Sequence, residues 1–203
     1  MKKSLWMALA GLAFAAACAA PKTLPAPAGA LKLDPAQSNL TAIAIKNEVK
    51  EVPVHFGGLS GWASLDGKGD LQIPLGSLST GDVARDQNVK TLFFEIGKAA
   101  AFASARFQLS SVAADLGKLE EGRTTTALAL GSLNLHGASL PLSGPLSFVK
   151  EGKTLRATLE KGWSIAIDQT TLGQPLKNMN ANCPQPHHVG NSVALTGTLV
   201  FEP

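Results

Sequence analysis

The stretch "ASARFQLSS", Ala103 to Ser111, decides the fold. Ala103, Ala105, Phe107 and Leu109 fall on one side of it, and Ser104, Arg106, Gln108 and Ser110 on the other. Side chains of an extended chain point alternately to opposite faces, so a period of two describes a strand with one face buried and one in water. The pattern recurs in "TLRATLE" at 154 to 160, "ASLPLSGPLSF" at 138 to 148 and "SVALTGTLVFE" at 192 to 202. With "NLTAIAIK", "VPVHFGGLSGWASL", "DLQIPLG" and "TTTALALGSLNLHG" the chain reads as about eight strands. Turn signals between them, such as "DGKGD", "EEG" and "KEGK", point to hairpins.

A meander of that length must protect its edges, and closing on itself removes them. The expectation is an all-β fold, an eight-stranded antiparallel barrel with one short helix on a crossover; a two-sheet sandwich is the alternative. Many inward positions are small, among them Ala103, Ala105, Ala127, Ala129, Gly131 and Gly197. They fit either a ligand cavity of the lipocalin kind or simple easing of strand curvature.

The ends of the chain carry a different message. Lys2 and Lys3 precede an apolar run from Leu5 to Ala17, which has the layout of an export signal and is too short for a bilayer span. Residues 1–17 are therefore expected to be a signal peptide, 18–30 a Pro/Ala-rich tether and 31–203 one domain. "FAAAC" at 14 to 18 resembles the lipobox of bacterial lipoproteins, with Ala15 where leucine is usual. That resemblance implies lipidation at Cys18, a membrane anchor and residence in the bacterial cell envelope, on the periplasmic side; cleavage after Ala20 would discard Cys18. An acylated Cys18 leaves Cys183 free, and a Cys18 to Cys183 disulfide is the other arrangement. The formal charge of +3 drops to about +1 without Lys2 and Lys3, which gives no reason to expect a nucleic-acid partner.

One segment breaks the alternation. "LSTGDVARDQNVKTLFFEIG", Leu78 to Gly97, resembles the YceI-like family in its Ser-x-x-Thr-Gly turn (Ser77 or Ser79, Thr80, Gly81), its Arg85-Asp86 pair and Phe93-Phe94 followed by Glu95. "LDPAQS" at 33 to 38, "LNLHG" at 133 to 137 and "IDQTTLG" at 167 to 173 are similar to further family segments, in the same order. Departures are Gln37 for histidine, Gln169 for arginine, Leu172 for phenylalanine and Ala99-Ala100 for Tyr-Pro, together with an unfamiliar "KNMNANCPQPHH" at 177 to 188. The resemblance implies an exported bacterial protein that binds polyisoprenoids and related lipids in a lipocalin-like barrel.

Asp82 to Leu92 is then expected to be a short crossover helix, with Arg85 and Asp86 tying it down and Phe93 and Phe94 closing or lining one end of the barrel. Candidate lipid-binding residues are Ile43, Ile45, Phe93, Phe94, Phe107, Leu109, Leu133, Leu135 and Trp163. The partner implied is a long apolar chain, an isoprenoid or a quinone tail, with no cofactor besides such a lipid. Enzymatic activity is not expected, since no G-x-S-x-G, P-loop, H-E-x-x-H or C-x-x-C occurs. His136, at a strand end before Gly137, reads as a backbone-bonding structural residue. Cys183, His187 and His188 offer thiolate and imidazole donors, yet Pro184 and Pro186 give that stretch the look of an ordinary loop. A structural or stress-response protein with a filled core is a rival reading, as is a metal or redox protein using that loop. Oligomeric state is left open, a homodimer included.

Overall fold

The computed structural model describes residues 25–182 and 188–203. The leader, Cys18, Cys183 and His187 lie outside the described residues.

Alternation becomes strand wherever a face can be buried. In chain order the strands are β1 (Leu31–Leu33), β2 (Asn39–Lys46), β3 (Lys50–Phe56), β4 (Ser60–Ala63), β5 (Gly69–Pro74), β6 (Ser104–Val112), β7 (Thr125–Leu135), β8 (Ala138–Glu151), β9 (Thr154–Leu159), β10 (Ser164–Ala166) and β11 (Val189–Glu202). Following the pairings gives the order β1-β4-β5-β6-β7-β8-β9-β11, and β11 pairs back with β1, so eight antiparallel strands close a ring. β2, β3 and β10 continue the interrupted staves of β1, β4 and β9 toward the other end, where the first half of β11 pairs with both β2 and β10. The interruption after β1 is the turn "DPAQS", in which Asp34 Oδ1 accepts from the Ala36 N–H. Gln37 donates from Nε2 to both Asp34 and Glu202, so it knits this turn to the last strand.

Hairpins follow their turn residues. His136 and Gly137, between β7 and β8, both have positive φ, as a two-residue turn matching the strand twist requires. The expected crossover helix forms as α1 (Val83–Asn88), prolonged by a π-helical turn over Val89–Phe93. A second helix that the sequence pattern did not announce, α2 (Gly173–Asn182), runs into the first half of the unfamiliar segment.

The outer face of the barrel holds a buried ion pair. Arg106 alternates outward as expected, but it is 7% exposed and its guanidinium forks onto Asp70, which is 2% exposed. Arg106 Nε lies 3.1 and 2.8 Å from the two carboxylate oxygens, and the second guanidinium nitrogen bonds Oδ2 as well. Trp62, the partner of Asp70 in the ladder, is buried too, so the patch is shielded from water. Removing one charge would strand the other in a dry site, which costs about 3–5 kcal/mol, whereas replacing both with apolar groups is often neutral. Denaturant unfolding of Arg106→Met should therefore lose a few kcal/mol, and Asp70→Leu added to it should restore most of the loss. A double variant no more stable than the single would contradict this.

Candidate functional site

Residues 75 to 103 leave the sheet and run across one end of the barrel. Asp82 caps α1 by accepting from the Arg85 N–H at 2.9 Å. Asp86 reaches back to Thr80, accepting from its backbone N–H at 2.7 Å and its hydroxyl at 2.6 Å. The Thr80 hydroxyl, and then its N–H, hold the Asp86 carboxyl below its ordinary pKa despite the counter-effect of burial. Arg85 makes only a loose contact, 3.7 Å, with Asp82. The pair thus divides its labour: Asp86 fastens the helix, and Arg85 stays near the rim of the barrel.

Neighbouring residues of a regular α-helix diverge by ~100° around the axis. The π-helical turn, closed by the Phe94 N–H on the Val89 carbonyl, brings both Phe93 and Phe94 over the barrel, with ring centroids 4.8 Å apart. α2 packs beside this turn and contributes Leu176 and Met179, joined by Leu172 just before it. Its ten residues include three Asn and open on a Gly, types that disfavour helix. Two signals could have revealed it: Pro175 in the first helical turn, and the spacing of Leu172, Leu176 and Met179.

Beneath this roof lies a cavity of about 350 Å³. Leu40, Ala42 and Ala44 of β2, Val52, Val54 and Phe56 of β3, Ile73, Ala105, Leu133, Leu135, Ile165, Val193 and Leu195 form its wall. It reaches the surface beside Lys46, Thr80, Asp82, Arg85 and Asn88. The charged residues that line it are Lys46, Arg85 and Asp82, one cation in excess, and the Asp86 carboxylate behind Thr80 is taken up by the Thr80 hydroxyl and N–H. Among the described residues Lys46 forms no ion pair.

The cavity stops halfway down. Along β6 the wall includes Ala105 but not Phe107; along β7, Leu133 but not Gly131; in β10 Ile165, but not Trp163 just before it; along β11, Leu195 but not Gly197. Phe107 meets Trp163 edge to face, centroids 5.8 Å apart at 87°, and Trp163 Nε1 donates to the Pro145 carbonyl at 2.7 Å. Glycines make room for both rings. A Cβ on Gly131 would lie 2.4 Å from the Phe107 ring, and one on Gly144 would lie 2.6 Å from the Trp163 ring. Below this layer Phe148, Leu155, Leu199 and Phe201 pack the remaining interior.

The sequence-derived residues divide accordingly. Phe93, Phe94, Leu133 and Leu135 line the cavity. Phe107, Leu109 and Trp163 belong to or pack against the core, outside the cavity wall. Ile43 and Ile45 do not face in: Leu40, Ala42 and Ala44 do. Both faces of "NLTAIAIK" carry apolar residues, so alternation does not orient it, and the barrel turns Leu40 and the alanines inward and the isoleucines away from the cavity. The small inward residues also play two parts. Ala42, Ala44 and Ala105 leave space, whereas Gly131 and Gly144 admit rings and Gly197 admits the β2 backbone, with Asn39 O 2.4 Å from where its Cβ would be.

His136 sits at the same end, 6% exposed, stacked on Phe102 at 3.7 Å. The Thr171 hydroxyl donates to the His136 carbonyl at 2.8 Å, so at 3.1 Å it is positioned to accept from Nδ1–H. Nε2 lies 3.4 Å from Glu95 Oε2, in ion-pair range but without hydrogen-bond geometry. His136 thereby joins the β7–β8 hairpin, the crossover and the approach to α2. His188 bonds elsewhere, donating its backbone N–H to Asn47 at 2.8 Å.

Eight antiparallel strands closed around an apolar cavity make this a lipocalin-like barrel. Its family is equally plain: residues 31–201 match the YceI-like domain, and the chain belongs to that family. The polyisoprenoid binding domain from Saccharophagus degradans, implicated in plant cell wall breakdown, has a similar structure, with TM-score 0.73 at 20% identity over 84% of this chain and 97% of that one. BcnA of Burkholderia cenocepacia is similar with TM-score 0.66 at 17% identity, over 83% and 98% of the two chains. Similarity at this level of identity concerns the fold. No match was found among curated proteins.

Burial pushes the His136 pKa below the usual 6.5, outweighing the Glu95 carboxylate that raises it. The unfolded chain then takes up the proton more readily than the folded one, so stability falls as pH drops through about 6.5 and below. Thermal unfolding midpoints should decline between about pH 7.5 and pH 5.5. They should decline less in His136→Asn, since asparagine tolerates the positive φ at this position. Equal slopes in the two proteins would contradict the assignment.

Proposed function

We propose that this protein is an exported carrier that holds the apolar chain of a lipid inside its barrel. The observation that carries the reading is the cavity itself: about 350 Å³ walled by aliphatic and aromatic side chains, with its polar groups at the opening. Pockets that bind small molecules have this size and this distribution of polarity. Each CH₂ withdrawn from water contributes ~0.8 kcal/mol, so a hydrocarbon chain needs few polar contacts to be retained.

The polyisoprenoid binding of the Saccharophagus degradans domain, on a similar fold, supports an isoprenoid or quinone tail as the chain. Phe93, Phe94, Leu133 and Leu135 would touch it, under the roof made by the crossover and α2. Export through residues 1–17, and tethering to a bacterial membrane through lipidated Cys18, would keep the protein beside membrane lipids. Binding alone is the activity proposed.

Organic extraction of the protein purified from its native envelope, followed by mass spectrometry, should yield about one lipid per chain. Ala42→Phe puts a ring into the cavity without disturbing the rim, so it should fold with an unchanged spectrum and yield little lipid. Extracts without lipid, or an Ala42→Phe protein that carries as much as the parent, would overturn the reading.

A further inference from the structure

Resting on that carrier reading, we propose that the cavity gauges tail length. It takes a single-chain amphiphile with an anionic head and an apolar tail of about a dozen carbons, inserted tail first.

The length follows from the floor and the volume. At ~30 Å³ for each water-sized group, comparable to a CH₂, a space of about 350 Å³ holds about a dozen of them. A tail cannot extend past the Phe107–Trp163 layer by small shifts of its side chains. Phe107 is seated over Gly131, Trp163 over Gly144, and the indole N–H is held by the Pro145 carbonyl. Each added CH₂ therefore gains affinity until the tail end meets that layer, and carbons beyond it remain at the opening in contact with water.

The head follows from the rim. Lys46 is half-buried at the opening and forms no ion pair among the described residues. Arg85 has only its 3.7 Å contact with Asp82, whose carboxylate also caps α1. A carboxylate or phosphate at the end of a fully inserted tail would sit beside the excess positive charge, and a neutral head would gain nothing there.

The test is calorimetric titration of the full chain, freed of co-purified lipid, with straight-chain alkanoates of about eight to about twenty carbons, each below its micellar concentration. Affinity should rise about fourfold per CH₂, the equivalent of ~0.8 kcal/mol, and level off at about twelve to fourteen carbons. Ala105→Leu fills the space above the floor and should move the break about three carbons shorter; Phe107→Ala removes the ring from the floor and should move the break about three carbons longer. Dodecanol should bind at least threefold more weakly than dodecanoate, and Lys46→Met should remove most of that difference. Affinity that climbs without a break past about sixteen carbons, or a break that neither variant moves, would overturn the gauge while leaving the carrier intact. Equal binding of dodecanol and dodecanoate would overturn the anionic head. If no alkanoate of any length binds and native extracts hold no lipid, the carrier reading itself fails.

Discussion

Two aromatic rings seated over two glycines divide this barrel, and the rest of the molecule is arranged around that division. Phe107 over Gly131 and Trp163 over Gly144 make a tight cross-barrel layer, because neither glycine leaves room for a Cβ beneath the ring. Protein interiors are packed to the density of organic crystals, so such a layer behaves as a wall. On one side of it the chain spends its large side chains on a core that holds the staves together. On the other side it leaves about 350 Å³ open under a roof of helical turns. Stability and capacity are thus assigned to opposite halves of one sheet.

The roof depends on polar chemistry that the cavity lacks. Asp82 and Asp86 secure α1 through Arg85 N–H and Thr80. His136 fastens the hairpin below it to Phe102 and Thr171, and α2 lies against the π-helical turn that presents Phe93 and Phe94. These contacts lie at the surface or at element ends, where local opening is cheapest. The packed half is bound differently, by continuous ladders and by the buried Asp70–Arg106 pair on its outer face. A ligand that enters from above therefore meets the part of the molecule best able to yield.

Much of the architecture was legible because period-two alternation is a direct consequence of strand geometry. β6, β8, β9 and β11 carry it cleanly, and a long antiparallel meander has few ways to hide its edges. Legibility failed where the physics is not periodic. In β2 both faces are apolar, so parity could not separate Ile43 and Ile45 from Ala42 and Ala44. α2 carries three Asn in its ten residues, and the apolar contacts of Leu176 and Met179 matter only once the sheet offers a cavity to cover. Arg106 faced outward as alternation requires, yet nothing in its own strand announces that Asp70, 36 residues earlier, completes it across the sheet. The meaning of the small inward residues was likewise hidden in pairings: Ala105 leaves a void, whereas Gly131 receives a ring.

The barrel is hollow in one half and solid in the other. Xenon, which binds dry apolar cavities, reports this directly when a crystal of the ligand-free protein is pressurised with the gas and its anomalous signal mapped. Xenon should occupy sites between Ala105 and the rim, among Ala42, Val54, Phe94 and Leu135, and none beneath Phe107 and Trp163. Xenon density below that layer, or an upper half that admits no gas because side chains already fill it, would contradict it.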